Sequence, residues 1–287
     1  MATAKATVNT KALGNGPVQV VELPVIKYSA LVDGNADEEA KLFQAASVDG
    51  FFQLDLTNSS ASATVLDNLD AVYKVGEEYF DQPAAIKAKD ERVQDASLDR
   101  GFKTSSCDET FEISRDELIA NQPELPAVFH AKKQLITDFS NGLDEACRVM
   151  LDSLSTSLGL TGGESLAKHH KETESSESGL KFIDEPTLAR LADVGDNLHT
   201  DGGTFTVVFC EKDGLQTYLP SVDQWAFVPP KAGCAVLNVA NALSKMSEGK
   251  LHSPQHRVTQ MEDGAQRRIY LSYFLRPTHA AKAALKI

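Results

Sequence analysis

Asn197-Leu198-His199-Thr200-Asp201 opens the stretch on which the reading of this chain turns, and Arg268-Ile269-Tyr270-Leu271-Ser272-Tyr273-Phe274-Leu275-Arg276-Pro277 closes it. Between them lie short apolar segments separated by turn residues, then Ser253-Pro254-Gln255-His256-Arg257-Val258. His199 and Asp201 are two apart, so on an extended backbone their side chains point to the same side. Two groups fixed on one face cannot surround an ion, and a third donor must come from elsewhere in the chain. His256 lies beyond the intervening strands, where a closed sheet can bring it back alongside. Two histidines and one carboxylate are the ligand set of a non-haem Fe(II) centre that keeps open positions for chemistry.

Farther along, Arg268 sits inside an otherwise apolar strand. A guanidinium facing a barrel interior is expensive unless an anion pairs with it, and its planar fork matches a carboxylate. Strand alternation turns either Arg267 or Arg268 inward. Tyr270, two residues after Arg268, shares its face and can donate a second hydrogen bond.

Around this stretch the texture is that of short strands: Leu180 to Ile183, Thr204 to Cys210, Leu215 to Leu219, Trp225 to Val228, Ala235 to Val239 and Arg268 to Leu275. Gly202-Gly203, Asp213-Gly214, Pro229-Pro230 and Gly233 supply turn chemistry between them. Such spacing predicts a sandwich or jelly-roll barrel. Upstream, Asp37, Glu38 and Glu39 sit where a helix's first turn favours negative charge, with Gly50 as its stop. Phe51 to Leu56 reads as a strand. Apolar residues at threes and fours predict a helix over roughly 64–80 and a long scaffold helix from Val128 to Leu158. Gly101 to Lys103 and Phe111 to Ile113 suggest a strand pair around a polar loop that contains Cys107. The charged stretch 87–100 reads as solvated surface. The loop 161–179 carries His169-His170, a weak metal candidate, since adjacent histidines in a polar loop are usually solvent-facing. The expected organisation is a flexible tail over 1–18 and one domain over 19–287, with its jelly-roll core mainly at 180–277. The fold class is mainly β with an N-terminal helical wrap.

Composition narrows the partners. A formal net charge of −13 over 287 residues, with no dense basic run, argues against nucleic acid. No apolar run approaches the roughly 20 residues of a membrane span. Four scattered cysteines without a CxxC pair fit neither a zinc knuckle nor a disulfide framework, which makes a reducing, cytoplasmic setting the expectation.

Taken together, Leu23-Pro24-Val25-Ile26, Asp49-Gly50-Phe51-Phe52, Phe111-Glu112-Ile113, His199-Thr200-Asp201, Gly214-Leu215-Gln216, the Trp225 segment, His256-Arg257-Val258 and Tyr273 to Pro277 resemble the isopenicillin N synthase-like branch of the Fe(II)/2-oxoglutarate-dependent dioxygenases. The resemblance covers nearly the whole chain. It implies a double-stranded β-helix holding iron through His199, Asp201 and His256, with Arg268 gripping the far carboxylate of 2-oxoglutarate. It also implies dioxygen and a small organic substrate, as in the tailoring of natural products, with hydroxylation, desaturation or ring closure as outcomes. Two departures stand out. Tyr270 replaces the serine of the family's usual Arg-x-Ser. Ile183-Asp184-Glu185 stands where many members carry Asn-x-Tyr, and a carboxylate there would repel a dianionic co-substrate unless it points away. The alternative is an iron oxidase without 2-oxoglutarate, in which Arg268 and Tyr270 bind the substrate's own carboxylate. A zinc-bound or metal-free jelly roll is a third reading, although no general base for zinc hydrolysis can be assigned. The segment 101–110, the loop 161–179 and Arg190 are the expected pocket mouth.

Overall fold

Alternation of side chains along four central strands builds the molecule. The computed structural model describes residues 6–14, 16–92, 100–105, 108–120, 124–185, 188–195, 197–264 and 266–286. Its strands are β1 (Thr7–Leu13), β2 (Gly16–Glu22), β3 (Val25–Lys27), β4 (Phe51–Asp55), β5 (Gly101–Thr104), β6 (Glu109–Ser114), β7 (Gly179–Glu185), β8 (Phe205–Cys210), β9 (Leu215–Leu219), β10 (Gln224–Phe227), β11 (Cys234–Val239), β12 (His256–Val258) and β13 (Arg268–Leu275). They form an eight-stranded sheet in the order β3-β4-β11-β8-β13-β7-β6-β5 and a five-stranded sheet in the order β1-β2-β10-β9-β12. This is the expected jelly roll with helices laid outside it.

Period-two patterning decides which side of the large sheet faces what. Leu180 and Phe182 of β7, Phe205, Val207 and Phe209 of β8, Ala235, Leu237 and Val239 of β11, and Leu271, Tyr273 and Leu275 of β13 all join the core under the helices. The intervening residues Lys181, Ile183 and Glu185, Thr206 and Val208, Asn238, and Tyr270, Ser272 and Phe274 line a cavity on the opposite face. A second, smaller core, with Val21, Phe51, Leu215, Leu219, Ala226 and Val236, fills the space between the two sheets.

The helices Ser60–Phe80 and Lys133–Ser157 form the outer layer, as their apolar periodicity predicts. The long one buries Ile136, Phe139, Leu143, Cys147, Met150 and Leu154 along one stripe. Midway along it, buried Asp144 accepts a hydrogen bond from the Tyr273 hydroxyl at 2.8 Å and pairs with Arg148 and Arg115. That contact fixes the scaffold helix to β13, whose other face lines the cavity. The helix expected to run unbroken from 128 is interrupted at Lys132, where φ −117° and ψ 18° separate Ala127–Ala131 from the longer segment.

Gly50 ends the helix Ala36–Val48 with φ +68°, and a Cβ there would lie 2.1 Å from the His252 carbonyl oxygen. Only glycine permits that left-handed turn and that close approach. Two further expectations are corrected. Within the lead-in expected to be flexible, β1 pairs antiparallel with β2, and β2 meets β10 at Val20 and Phe227. Its sequence Thr-Val-Asn-Thr-Lys-Ala-Leu leaves β1 largely exposed, which masks its strand character in composition. His170, expected to face solvent, is 2% exposed. Its ring nitrogens lie 3.2 Å from the Leu166 carbonyl and 2.8 Å from the Thr204 hydroxyl, so it braces the loop against the start of β8. Residues 93–99 of the expected charged surface, Cys107 and Pro123 lie outside the described residues.

Candidate active site

His199 and His256 reach the cavity from adjacent extended segments. Their backbones form a two-way antiparallel bridge, His199 N–H to His256 O and His256 N–H to His199 O, each at 3.0 Å. This bridge extends the small sheet by one segment, and it sets the two imidazoles 4.3 Å apart between ring centres. Asp201 follows two residues after His199 on the same side. Its Oδ1 lies 3.5 Å from His199 Nε2 and its Oδ2 lies 3.7 Å from His256 Nε2. All three donor atoms fall within 4.8 Å of one another, and this is the one such cluster of three among the described residues.

Hydrogen bonds orient each donor. His199 Nδ1 lies 2.6 Å from the Asn197 carbonyl, and His256 Nδ1 lies 3.3 Å from the Pro254 carbonyl. A carbonyl only accepts, so each Nδ1 carries the proton and each Nε2 turns its lone pair toward the common point. Phe51 packs edge-on against the His256 ring at 5.7 Å and holds its plane. The Asp201 carboxylate is held by two donors on Oδ2, the Thr206 hydroxyl at 2.6 Å and the Asn238 amide at 2.8 Å. These two partners were not singled out in the sequence. Asn238 was visible as a lone polar residue within the apolar run from Ala235 to Val239, whereas Thr206 had no distinguishing signal.

Electrostatics keep Asp201 ionised and His256 neutral, the forms that ligate, whereas His199 must give up its proton to do so. Burial alone would raise the Asp201 carboxyl. The nearby His199 and His256 imidazoles and the hydrogen bonds from Thr206 and Asn238 outweigh it and hold the group well below the usual range. Burial lowers the basicity of His256, against the pull of Asp201, and so favours its neutral imidazole. His199, half exposed at the cavity mouth, is shifted up by the Asp201 carboxylate beside its Nε2. Donors bound roughly 2.1 Å from one ion at right angles stand roughly 3 Å apart. The observed spacings exceed that by less than a side-chain rotation can recover, so the residues fit a metal.

Deeper in the cavity the second sequence expectation is met in part. Arg268 is the inward arginine, 7% exposed, while Arg267 turns out to pair with Asp184 and Asp81. Arg268 Nη1 donates to the Thr259 carbonyl at 2.7 Å, and its Nη2 lies 2.8 Å from Glu185 Oε2. Tyr270 faces the same space. Glu185 therefore points in and not away. Asp108 and Thr110, both within the expected mouth segment, line the cavity. Arg190 instead pairs with Asp193 at the surface, and the loop residues His170, Lys171, Glu172 and Glu174 border a separate cleft.

The family profile of the 2OG-Fe(II) oxygenase superfamily matches residues 178–277. The 2-oxoglutarate-dependent dioxygenase frbH of Dothideomycetidae sp. (strain 11243) is 31% identical over 274 residues, covering 92% of this chain and 84% of the relative. The chain belongs to the 2OG-Fe(II) oxygenase superfamily. The 2-oxoglutarate-dependent dioxygenase gloE of Glarea lozoyensis is 30% identical, covering 89% of this chain and 80% of its own. In fold, the full-length Neurospora crassa T7H in complex with alpha-KG superposes with a TM-score of 0.74 at 19% identity, over 96% of this chain and 88% of that one. The protein is accordingly an oxidoreductase that uses Fe(II), 2-oxoglutarate and O2, and the oxidase alternative without 2-oxoglutarate is not favoured. Among the described residues, no helix is long and apolar enough to cross a membrane.

Proposed function

We propose that His199, Asp201 and His256 hold the iron, and that Arg268 with Tyr270 receives the distal carboxylate of 2-oxoglutarate. The observation that carries this reading is the convergence of two Nε2 lone pairs and one ionised carboxylate within 4.8 Å, at one end of a cavity that Tyr270 also lines. When bound, iron and 2-oxoglutarate activate dioxygen, and the co-substrate leaves as succinate and carbon dioxide. The chain's own part is to hold, aim and exclude. The carbonyls of Asn197 and Pro254 fix the imidazole tautomers, and Thr206 and Asn238 fix the Asp201 rotamer. Arg268, bonded to the Thr259 carbonyl, places a fixed positive charge behind the cavity wall. A small organic substrate would enter on the side of exposed His199, past Asn197, Asp108 and Lys181, with Val208, Leu215, Val258 and Phe274 supplying apolar contact. We further propose that residues 19–287 work as one catalytic unit, since strands from both ends of that range share the large sheet.

The test is succinate formation from 2-oxoglutarate in the iron-loaded protein and in Arg268→Gln. The variant should raise KM for 2-oxoglutarate at least ~10-fold, the loss of a charged hydrogen-bond partner, with metal content unchanged. An unchanged KM would remove Arg268 from the co-substrate site.

A further inference from the structure

Glu185 stands between the cavity and Arg268. It lines the cavity together with Tyr270, whereas the Arg268 guanidinium does not, and its Oε2 lies 2.8 Å from Arg268 Nη2. All three side chains are buried, at 8%, 7% and 3% exposure for Glu185, Arg268 and Tyr270. Glu185 Oε2, Arg268 Nε and the Tyr270 hydroxyl make no well-aligned hydrogen bond among the described residues, although Arg268 and Tyr270 both lie close enough to the Glu185 carboxyl to pull it down. Buried polar atoms without partners are costly, and three in one cluster point to a missing group that satisfies them together. Two of the three, an arginine N–H and a phenol O–H, are donors, so the missing group is an acceptor.

A carboxylate from 2-oxoglutarate fits that demand but meets Glu185 there. Two carboxylates facing one guanidinium would leave a net negative charge in a buried site, and like charges in such a place drive one of the pair to take up a proton. We propose that Glu185 is a positioning residue for the co-substrate, binding the distal carboxylate of 2-oxoglutarate in its neutral form and donating its acid O–H alongside Arg268 and Tyr270. This rests on the reading of Arg268 given above. The proton comes from bulk water as the co-substrate enters and returns there when succinate leaves.

The surroundings support a neutral Glu185 within reach of ordinary pH. Burial raises its carboxyl to about 7, with Arg268 and the Tyr270 hydroxyl opposing and Asp108 adding to the rise. The groups facing it are Arg268 and Tyr270 from β13, Asp108 from the turn before β6, and Cys210, which pairs with Tyr270 across β8. Burial holds the Cys210 thiol up at about 12 and the Tyr270 phenol well above its ordinary value, so both stay protonated and leave Glu185 as the group that titrates. Asp213, whose backbone carbonyl accepts from Arg268, turns its own carboxylate to Lys11.

Calorimetry of 2-oxoglutarate binding to the Mn(II)-loaded protein tests this, with each pH measured in two buffers of different ionisation enthalpy. With the metal already seated, its ligands do not titrate. Binding at pH 8 should take up about 0.9 proton, and the apparent affinity should weaken roughly 25-fold from pH 6.5 to pH 8.5. Glu185→Gln, a neutral shape-mimic, should bind tightly across that range without proton uptake. If the variant fails to fold, the proton count in the wild-type protein decides alone. Binding with no proton uptake and a flat pH profile would overturn the role of Glu185 while leaving the co-substrate site standing. Retention of the wild-type pH dependence by Glu185→Gln would overturn it equally. Absence of binding at every pH would overturn both.

Discussion

Replacing Thr206 with valine removes one of the two hydrogen bonds on Asp201 Oδ2 while keeping a β-branched side chain of similar shape at a site 4% exposed. The lost bond is charge-assisted and buried, the kind worth about 1.5–3 kcal/mol. It exists with and without metal, so its full strength does not transfer to metal affinity. What transfers is the loss of a held rotamer. The remaining Asn238 contact at 2.8 Å leaves the carboxylate able to rotate out of the common point. Outer partners of metal ligands are typically worth 10–100-fold in affinity, and with Asn238 still in place about 10-fold, or 1.4 kcal/mol, is expected. Asp201 lies so far below the usual carboxylate range that losing one donor leaves it ionised at neutral pH. The loss should therefore be the same at pH 6.5 and pH 8. Anaerobic calorimetric titration with Fe(II) measures it, with His169→Ala as the control, since that residue takes no part in the cluster. Wild-type affinity in Thr206→Val, or a defect that disappears at high pH, would refute this account of how Asp201 is held.

Two further outcomes follow from the packing. At Gly214 a Cβ would sit 2.2 Å from the Tyr270 hydroxyl and 2.9 Å from Arg268 Nη1, so Gly214→Ala should raise KM for 2-oxoglutarate several-fold with Fe(II) affinity unchanged, as read by parallel kinetics and metal titration. Burial lowers His170 to about 4, from an ordinary value of 6.5. Between those values the unfolded chain binds a proton that the native state refuses, so stability falls as pH drops from 6.5 toward 4. The contribution lost between pH 7 and pH 5 is about 2 kcal/mol. Urea unfolding at the two pH values should show the advantage of the wild-type protein over His170→Asn shrinking by about that amount. A constant difference would mean that His170 is not held neutral.

The cluster of His199, Asp201 and His256 was legible because its chemistry depends on type and spacing that survive in one dimension. A two-residue step on an extended segment puts His199 and Asp201 on one side whatever the rest of the fold does. Arg268 was legible for the same reason, since alternation forced one of two adjacent arginines inward. Thr206 was not legible, because threonine is an ordinary strand residue and only the pairing of β8 with β11 brings it beside Asn238 under Asp201. Glu185 stood out in the sequence as a misplaced charge, but its direction depended on the phase of β7 against β13, where Glu185 pairs with Arg268. His170 and the β1–β2 hairpin failed for a common reason. Polar composition describes what a segment is made of, and a tertiary contact such as that of His170 with Thr204 can bury one member of it.

The proposed iron site consists of His199, Asp201 and His256 together. Anaerobic Fe(II) titration of the wild-type protein and of the three single alanine variants, with circular dichroism to establish folding, tests it most directly. One iron per wild-type chain is expected, with none held stoichiometrically by any folded variant. Stoichiometric iron in a folded His199→Ala or His256→Ala protein would contradict it.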